Sequence, residues 1–334
     1  MAETHPDFKN ILVIHFGQLG DVVLALPALR AIRERFGNAK ITALTGKVSG
    51  ELVKLSGFID EIIAVDRVEL RDGPKLRSLG NILKLTRDLR RRNFDLVIDL
   101  HSLKETNLLA WFTGAKRRLL ANRGNRSYHS LGNFKPAPPA EDRSLHLAQM
   151  YMRVLIPLEL GGKAVPVVIT PTERDRRSGC ADPFGHVRGP KAGLFPGAGN
   201  PSRCWPLDSF ASLAEGLKND GYTPVVFLGP EERDMLDQVA SVFPQETLIA
   251  DHLSIAEFIA AVGQLKIFVT NDTGPMHLAA LAGTPILLVL DSRAPLTYLP
   301  LAREIEIVNT DHIEQISVND VHSAAKKLLT RPTE

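Results

Sequence analysis

Four segments of the 334-residue chain carry residue types whose spacing suits phosphate and sugar chemistry. In residues 266–283, KIFVTNDTGPMHLAALAG, an apolar run ends in Asn271, Asp272, Thr273 and Gly274, and Pro275 follows where a helix would open. A helix N-terminus directs backbone N–H groups and the positive end of its dipole at whatever lies in front of it, which suits a diphosphate. Thr273 offers a hydroxyl, Gly274 allows close approach, and Met276 and His277 fall in the first turn. The plainer alternative is a well-capped helix with a buried histidine. Nearer the N-terminus, Gly17-Gln18-Leu19-Gly20-Asp21 follows an apolar run. Its G-x-x-G-D spacing differs from the dinucleotide fingerprint G-x-G-x-x-G and lacks the Lys-Ser/Thr of a P-loop. Asp21 reads either as a helix N-cap or as a general base. In residues 196–206, PGAGNPSRCWP, Gly199 loosens the loop and Arg203 presents a planar fork to a departing phosphate, while Trp205 reads as a packing anchor. In the fourth, Glu231 is either a ribose acceptor or an ordinary first-turn acid.

Something must hold these segments at one edge. Short β-branched runs alternate with longer amphipathic stretches, the pattern of parallel sheets with crossover helices. Strands are expected at 11–16, 40–44, 61–65 and 96–100, then at 192–195, 224–228, 266–270 and 285–290. Helices are expected at 22–36, where Pro27 kinks the helix or starts its regular part, and at 78–92 and 145–155. Four more are expected at 209–221, 231–242, 254–262 and 275–282. Residues 121–143 read as a long functional or mobile loop, with Arg123 and Arg126 among glycines, serines and prolines. The stretch 170–185 reads as a linker between two Rossmann-like domains, 1–170 and 171–334. Ligands of such sheets bind outside the carboxyl ends of the strands, so a shared cleft is expected.

Composition removes several classes. With 44% hydrophobic and 23% charged residues, the chain is neither disordered nor fibrous. No apolar run reaches the roughly 20 residues of a membrane-spanning helix, and the polar first ten residues do not read as a signal peptide. Cys180 and Cys204 alone make neither a disulfide scaffold nor a cysteine-rich metal site. A cytosolic location is expected. The formal net charge of +2 hides an asymmetry: residues 1–170 hold 26 Lys+Arg against 17 Asp+Glu, a net of +9, and the remainder is net −7. A basic half suits an anionic partner such as nucleic acid, anionic lipid or an acidic sugar, or is simply a solvated surface. The basic runs lack interleaved aromatics, which disfavours a nucleic-acid platform. Absent D-x-D, G-x-S-x-G and H-E-x-x-H patterns argue against metal-carboxylate, hydrolase and zinc chemistry.

With these residues in hand, the chain resembles the ADP-heptose:lipopolysaccharide heptosyltransferases, family 9 of the glycosyltransferases. The matching motifs are GQLGDVVLALPALRAI, PGAGNPSRCWP and NDTGPMHLAALAGTP, in order along nearly the whole chain. The resemblance implies a GT-B fold, with two Rossmann-like domains facing a central cleft, the first binding acceptor and the second nucleotide-sugar. The last helix is expected to pack back on the N-terminal domain. It further implies inverting transfer of heptose from ADP-heptose to a Kdo- or heptose-bearing lipid A core. No cofactor is expected, with a divalent cation at most stimulatory, and the expected enzyme is a monomer that touches the cytoplasmic face of the inner membrane. Asp21 matches the family's catalytic base. Asp272, Thr273, Gly274, Pro275, Met276 and His277 match its donor-diphosphate motif, with Gly199 and Arg203 beside it, the latter where relatives often carry lysine. Glu231 resembles the acid that holds the nucleoside. On the acceptor side the resemblance points to Gln18, Gly20, His146, Arg123 and Arg126. A nucleotide-dependent oxidoreductase lacks its fingerprint here, and a non-catalytic nucleotide-binding scaffold or a relative using another sugar or acceptor are the alternatives.

Overall fold

A computed structural model of the chain describes residues 7–66, 75–170, 184 and 187–331. The expected linker at 170–185 lies almost wholly outside the described residues. The chain divides into two compact units, Met1–Val165 and Pro166–Glu334, so the boundary falls just before residue 170.

The first unit is built on β1 (Asn10–His15), β2 (Lys40–Gly46), β3 (Glu61–Val65), β4 (Leu96–Asp99) and β5 (Arg117–Leu120). All pair in parallel, in the order β3-β2-β1-β4-β5. Central strands of such a sheet are covered on both faces, which is why Ile11, Leu12, Val13 and Ile14 form an unbroken apolar run and are all buried. The helices are α1 (Leu19–Arg35), α2 (Lys47–Leu55), α3 (Lys75–Arg91), α4 (Lys104–Phe112) and α5 (Leu147–Val154). Helix α1 runs through Pro27. The sequence reading did not contain α2, α4 or β5, each too short to show a period. Residues 121–143 are not a loose loop. Two single 3₁₀ turns, Gly124–Arg126 and His129–Leu131, and a bridge between Asn122 and Ala140 order it internally, and the Asn133 and Phe134 N–H groups donate to the Arg118 carbonyl of β5.

The second unit repeats the plan with β6 (Lys191–Phe195), β7 (Thr223–Phe227), β8 (Leu248–Ala250), β9 (Ile267–Thr270), β10 (Ile286–Asp291) and β11 (Ile305–Thr310). They pair in parallel, in the order β11-β10-β9-β6-β7-β8. The helices are α6 (Leu207–Asn219), α7 (Leu236–Val242), α8 (Ile255–Val262), α9 (Gly274–Ala282) and α10 (Val318–Leu329). Helix α10 has its apolar face within the second unit. Val321, Ala325 and Leu328, at i, i+4 and i+7, put one apolar stripe into the second unit's own core with Phe210 and Leu213 of α6. Lys326 adds an ion pair, and His322 Nε2 a hydrogen bond, to Asp220 at the end of α6.

In each sheet the chain order reverses once, between β1 and β4 and between β6 and β9. Loops leaving the carboxyl ends of those strands diverge to opposite faces and leave a crevice. Both G-x-x-G-D and N-D-T-G-P leave the sheets at these points.

Candidate active site

At the second unit's reversal, Phe195 of β6 pairs with Thr270 of β9, so the loops 196–206 and 271–273 start side by side. Asn271, fully buried, joins them. Its amide Nδ2 donates to the carbonyls of Pro196 (2.9 Å) and Gly197 (3.3 Å), and its Oδ1 accepts the Trp205 N–H (3.0 Å). Trp205 is the expected anchor, 1% exposed, with its indole N–H donating to the Ile316 carbonyl (2.9 Å) and its ring edge-on to Phe210. Both ends of the loop are therefore clamped. Its middle is turned outward by Asn200, whose Oδ1 accepts from the backbone N–H and hydroxyl of Ser202.

Arg203 leaves this turn and donates through Nη1 to the Asp272 carboxylate at 3.1 Å. The pair borders a pocket of about 340 Å³, with Asn200, Ser202, Arg203 and Asp272 on one side and, on the other, Asp291, the last residue of β10, and Arg293 just beyond it. The Arg293 guanidinium donates to Asp291 (2.7 Å) and holds its carboxyl well below the usual carboxylate range. Sequence reading missed Asp291 and Arg293. The available signal was a polar D-x-R directly after a buried parallel strand.

Thr273 is the N-cap of α9, Gly274 and Pro275 open the helix, and Gly283 closes it in the left-handed conformation (φ 76°). Met276 and His277, in the first turn, are buried. Glu231 is exposed beside Gly199, its Oε2 3.6 Å from where a Cβ on that glycine would stand. The structural acid is its neighbour. Glu232 is buried, accepts the Gly229 N–H (3.1 Å) and fills the space that a Cβ on Gly197 would need. Burial, then the adjacent Glu231 charge, pushes the Glu232 carboxyl up. A Gly-x-x-Glu spacing at a strand end was the readable sign.

In the first unit Asp21 is not an N-cap. Gln18, exposed, holds that position, and Asp21 is the third helical residue, its Oδ2 accepting the Gln18 N–H at 3.1 Å. Gly20 lies between them, half-buried. Gly17 permits the arrangement, since a Cβ there would come within 2.5 Å of both the Asp21 Cβ and the His15 Cε1. His15 is buried, and its ring meets His101 (5.7 Å) and Tyr151 (5.1 Å) edge-on.

His101 is carried by a loop fastened to buried Asp99 at the end of β4. The Asp99 carboxylate accepts from the Ser102 N–H (2.7 Å) and the Asn107 amide (2.8 Å), while Asn107 accepts the Tyr128 N–H (2.7 Å). This network holds Ser102 in the left-handed region (φ 44°). Burial outweighs the hydrogen bonds and pushes the Asp99 carboxyl up to about 6. A raised folded pKa means that the folded state binds the proton more tightly than the unfolded state. Stability is then lost as pH rises from about 4 to about 6. A Tm series across that window should fall for the native chain and be flatter for Asp99→Asn, which has no proton to release there.

The expected acceptor residues are placed differently. Arg123 donates to the His101 carbonyl (2.7 Å) and to Glu141 (3.0 Å), and Arg126 pairs with the same carboxylate. One carboxylate shared by two guanidinium groups leaves the cluster net positive, and the pairing holds the 121–143 segment together. His146 caps α5, its Nδ1 accepting the Ala148 N–H at 3.3 Å. A small pocket of about 30 Å³ lies alongside, lined by Arg123, Glu141, Tyr151 and Arg153 among others. Among the described residues no group of three or more His, Cys, Asp or Glu side chains is placed to hold a metal ion.

A family model described as glycosyltransferase family 9 (heptosyltransferase) matches residues 82–328. The chain belongs to that family. Among curated relatives of this glycosyltransferase, lipopolysaccharide heptosyltransferase 3 of Escherichia coli strain K12 is 23% identical over 335 residues, covering 93% of this chain and 95% of its own. Among solved structures, a family 9 glycosyl transferase from Veillonella parvula DSM 2008 has a TM-score of 0.84 at 25% identity, with 97% of each chain covered. The ADP-heptose lps heptosyltransferase II of E. coli has a TM-score of 0.79 at 20% identity, covering 96% of this chain and 98% of its own. The two parallel-sheet units are those of the GT-B fold. The matched stretch contains the whole Asn271-centred site of the family 9 enzyme, and Asp21 precedes it.

Proposed function

We propose that this family 9 enzyme transfers L-glycero-D-manno-heptose from ADP-heptose to a hydroxyl of a Kdo- or heptose-bearing lipid A core, with inversion at the anomeric carbon. The observation that carries the donor assignment is the Arg203–Asp272 pair at the mouth of α9, on the rim of a pocket at the sheet's reversal point. The names of the relatives support the sugar and the acceptor. A part-exposed ion pair is worth only about 0–1 kcal/mol. An entering phosphate can therefore take Arg203 from Asp272 at little expense.

In this reading the second unit binds the nucleotide-sugar and the first binds the acceptor. Asp21 takes the proton of the acceptor hydroxyl, whose oxygen forms the new bond to the anomeric carbon. The bond to the diphosphate breaks, and its electrons leave with ADP. Arg203 and the backbone N–H groups that open α9 stabilise the charge developing there. No cofactor is required, with a divalent cation at most stimulatory, and the enzyme works as a monomer at the cytoplasmic face of the inner membrane. No described helix is long and apolar enough to cross a membrane.

The test is ADP release from ADP-heptose with and without Kdo2-lipid A or its heptosylated form. Release that requires one of these acceptors is expected. Absence of release with either, while ADP still raises the Tm, would leave a nucleotide site and overturn the sugar or acceptor assignment.

A further inference from the structure

The outer face of α4 is built against the ordinary rule for a surface helix. Its inner face, Thr106, Asn107 and Ala110, is buried. An outward face is normally polar, yet here it carries Leu108, Trp111 and Phe112, which remain 39%, 47% and 42% exposed. The Trp111 and Phe112 rings meet edge to face, with centroids 5.0 Å apart, so they form one apolar projection. Cations surround it. At one end Lys104 lies over the ring of Tyr128, itself 43% exposed. At the other, Arg90 of α3 reaches Gly114, the second residue after α4, with Arg91 beside it and exposed Lys116 and Arg117 following. Leu83, 60% exposed, lies on the side of α3 that carries Arg87 and Arg90. Glu105 and Asp88 are the exposed acids on the two helices.

We propose that this face docks on an anionic lipid bilayer, with Trp111 and Phe112 entering the interface and Arg90, Arg91, Lys104, Lys116 and Arg117 meeting the headgroup phosphates. Trp and Tyr settle at the headgroup level because one end of each is apolar and the other polar. Basic residues around them add attraction to anionic lipid. A second copy of the chain is the poorer occupant. A two-fold contact through this patch would set its cations against the same cations. The inference deepens the reading above by naming the surface that meets the bilayer holding a lipid acceptor, and its test does not require turnover.

The chain has two tryptophans, and Trp205 is 1% exposed, so a change in emission on adding vesicles reports Trp111. Vesicles of phosphatidylcholine mixed with phosphatidylglycerol should shift the emission to the blue, and brominated acyl chains should quench it. Phosphatidylcholine alone should do neither at the same concentration. In sedimentation with anionic vesicles, Trp111→Ser/Phe112→Ser should lose binding about tenfold or more, and Arg90→Gln or Arg91→Gln about fivefold each. The serine variant should keep the ADP-induced rise in Tm, and it should match the native chain in ADP release with a deacylated, water-soluble acceptor. Unchanged emission with anionic vesicles, equal binding to neutral ones, or a blue shift that follows protein concentration without lipid would each overturn the proposal. The last would point to self-association. Loss of the ADP response in the serine variant would make the pair structural. Docking by a native chain that transfers no heptose would instead sink the functional reading and leave this surface standing.

Discussion

Replacing Asp21 by Asn should lower kcat by about 10²–10⁴-fold, the usual contribution of a positioned general base, and leave ADP affinity within about twofold. The choice of Asn follows from the local geometry. The Asp21 carboxylate also accepts the Gln18 N–H at 3.1 Å and so satisfies one of the donors that open α1. Asn keeps that acceptor and the side-chain volume beside Gly17, but it cannot take a proton from a sugar hydroxyl. Asp21→Ala should lose about the same turnover and, in addition, about 1 kcal/mol of stability from the broken capping bond. Turnover against Tm for the two variants separates chemistry from capping. If Asp21→Asn turns over near the native rate, Asp21 is only a capping residue and the base lies elsewhere.

The second large effect is expected at Asn271, which touches no solvent. Asn271→Ala removes an acceptor from the Trp205 N–H and a donor from the Pro196 and Gly197 carbonyls, all in a dry interior. Each buried polar group left without its partner costs about 1–3 kcal/mol. A total near 3 kcal/mol should lower the Tm by roughly 5–10 °C. ADP affinity should fall with it, because Asn271 is what keeps the loop bearing Arg203 against the strand end bearing Asp272. Asn271→Asp is the sharper probe. It retains an acceptor for Trp205 but points a carboxylate oxygen at two carbonyls, and it should be at least as unstable as the alanine variant. A native Tm in both would show that the loop is held by Trp205 packing alone.

What this sequence determined by itself was the class of fold and the two peptide segments at the reversal points. Buried parallel strands must be continuous apolar runs, and a helix that begins at a sheet edge must be announced by a cap, a glycine or a proline. Those signals are local, so 11–16 and 266–283 could be read directly. The same locality explains which details stayed hidden. Asp21 and the N-cap differ by one turn, which sequence spacing does not resolve, and Glu231 and Glu232 are indistinguishable until the chain turns one of them onto Gly197. That Arg123 and Arg126 share Glu141 was hidden too, because the acid reaches them only when the segment folds back on itself. Asp291 and Arg293 join Arg203 and Asp272 only because the sheet places β10 beside β9 and β9 beside β6. Partners of Asn271 stand 66 to 75 residues away along the chain. Strand order alone brings such groups within hydrogen-bond distance, and strand order is settled by packing of the whole sheet rather than by any segment within it.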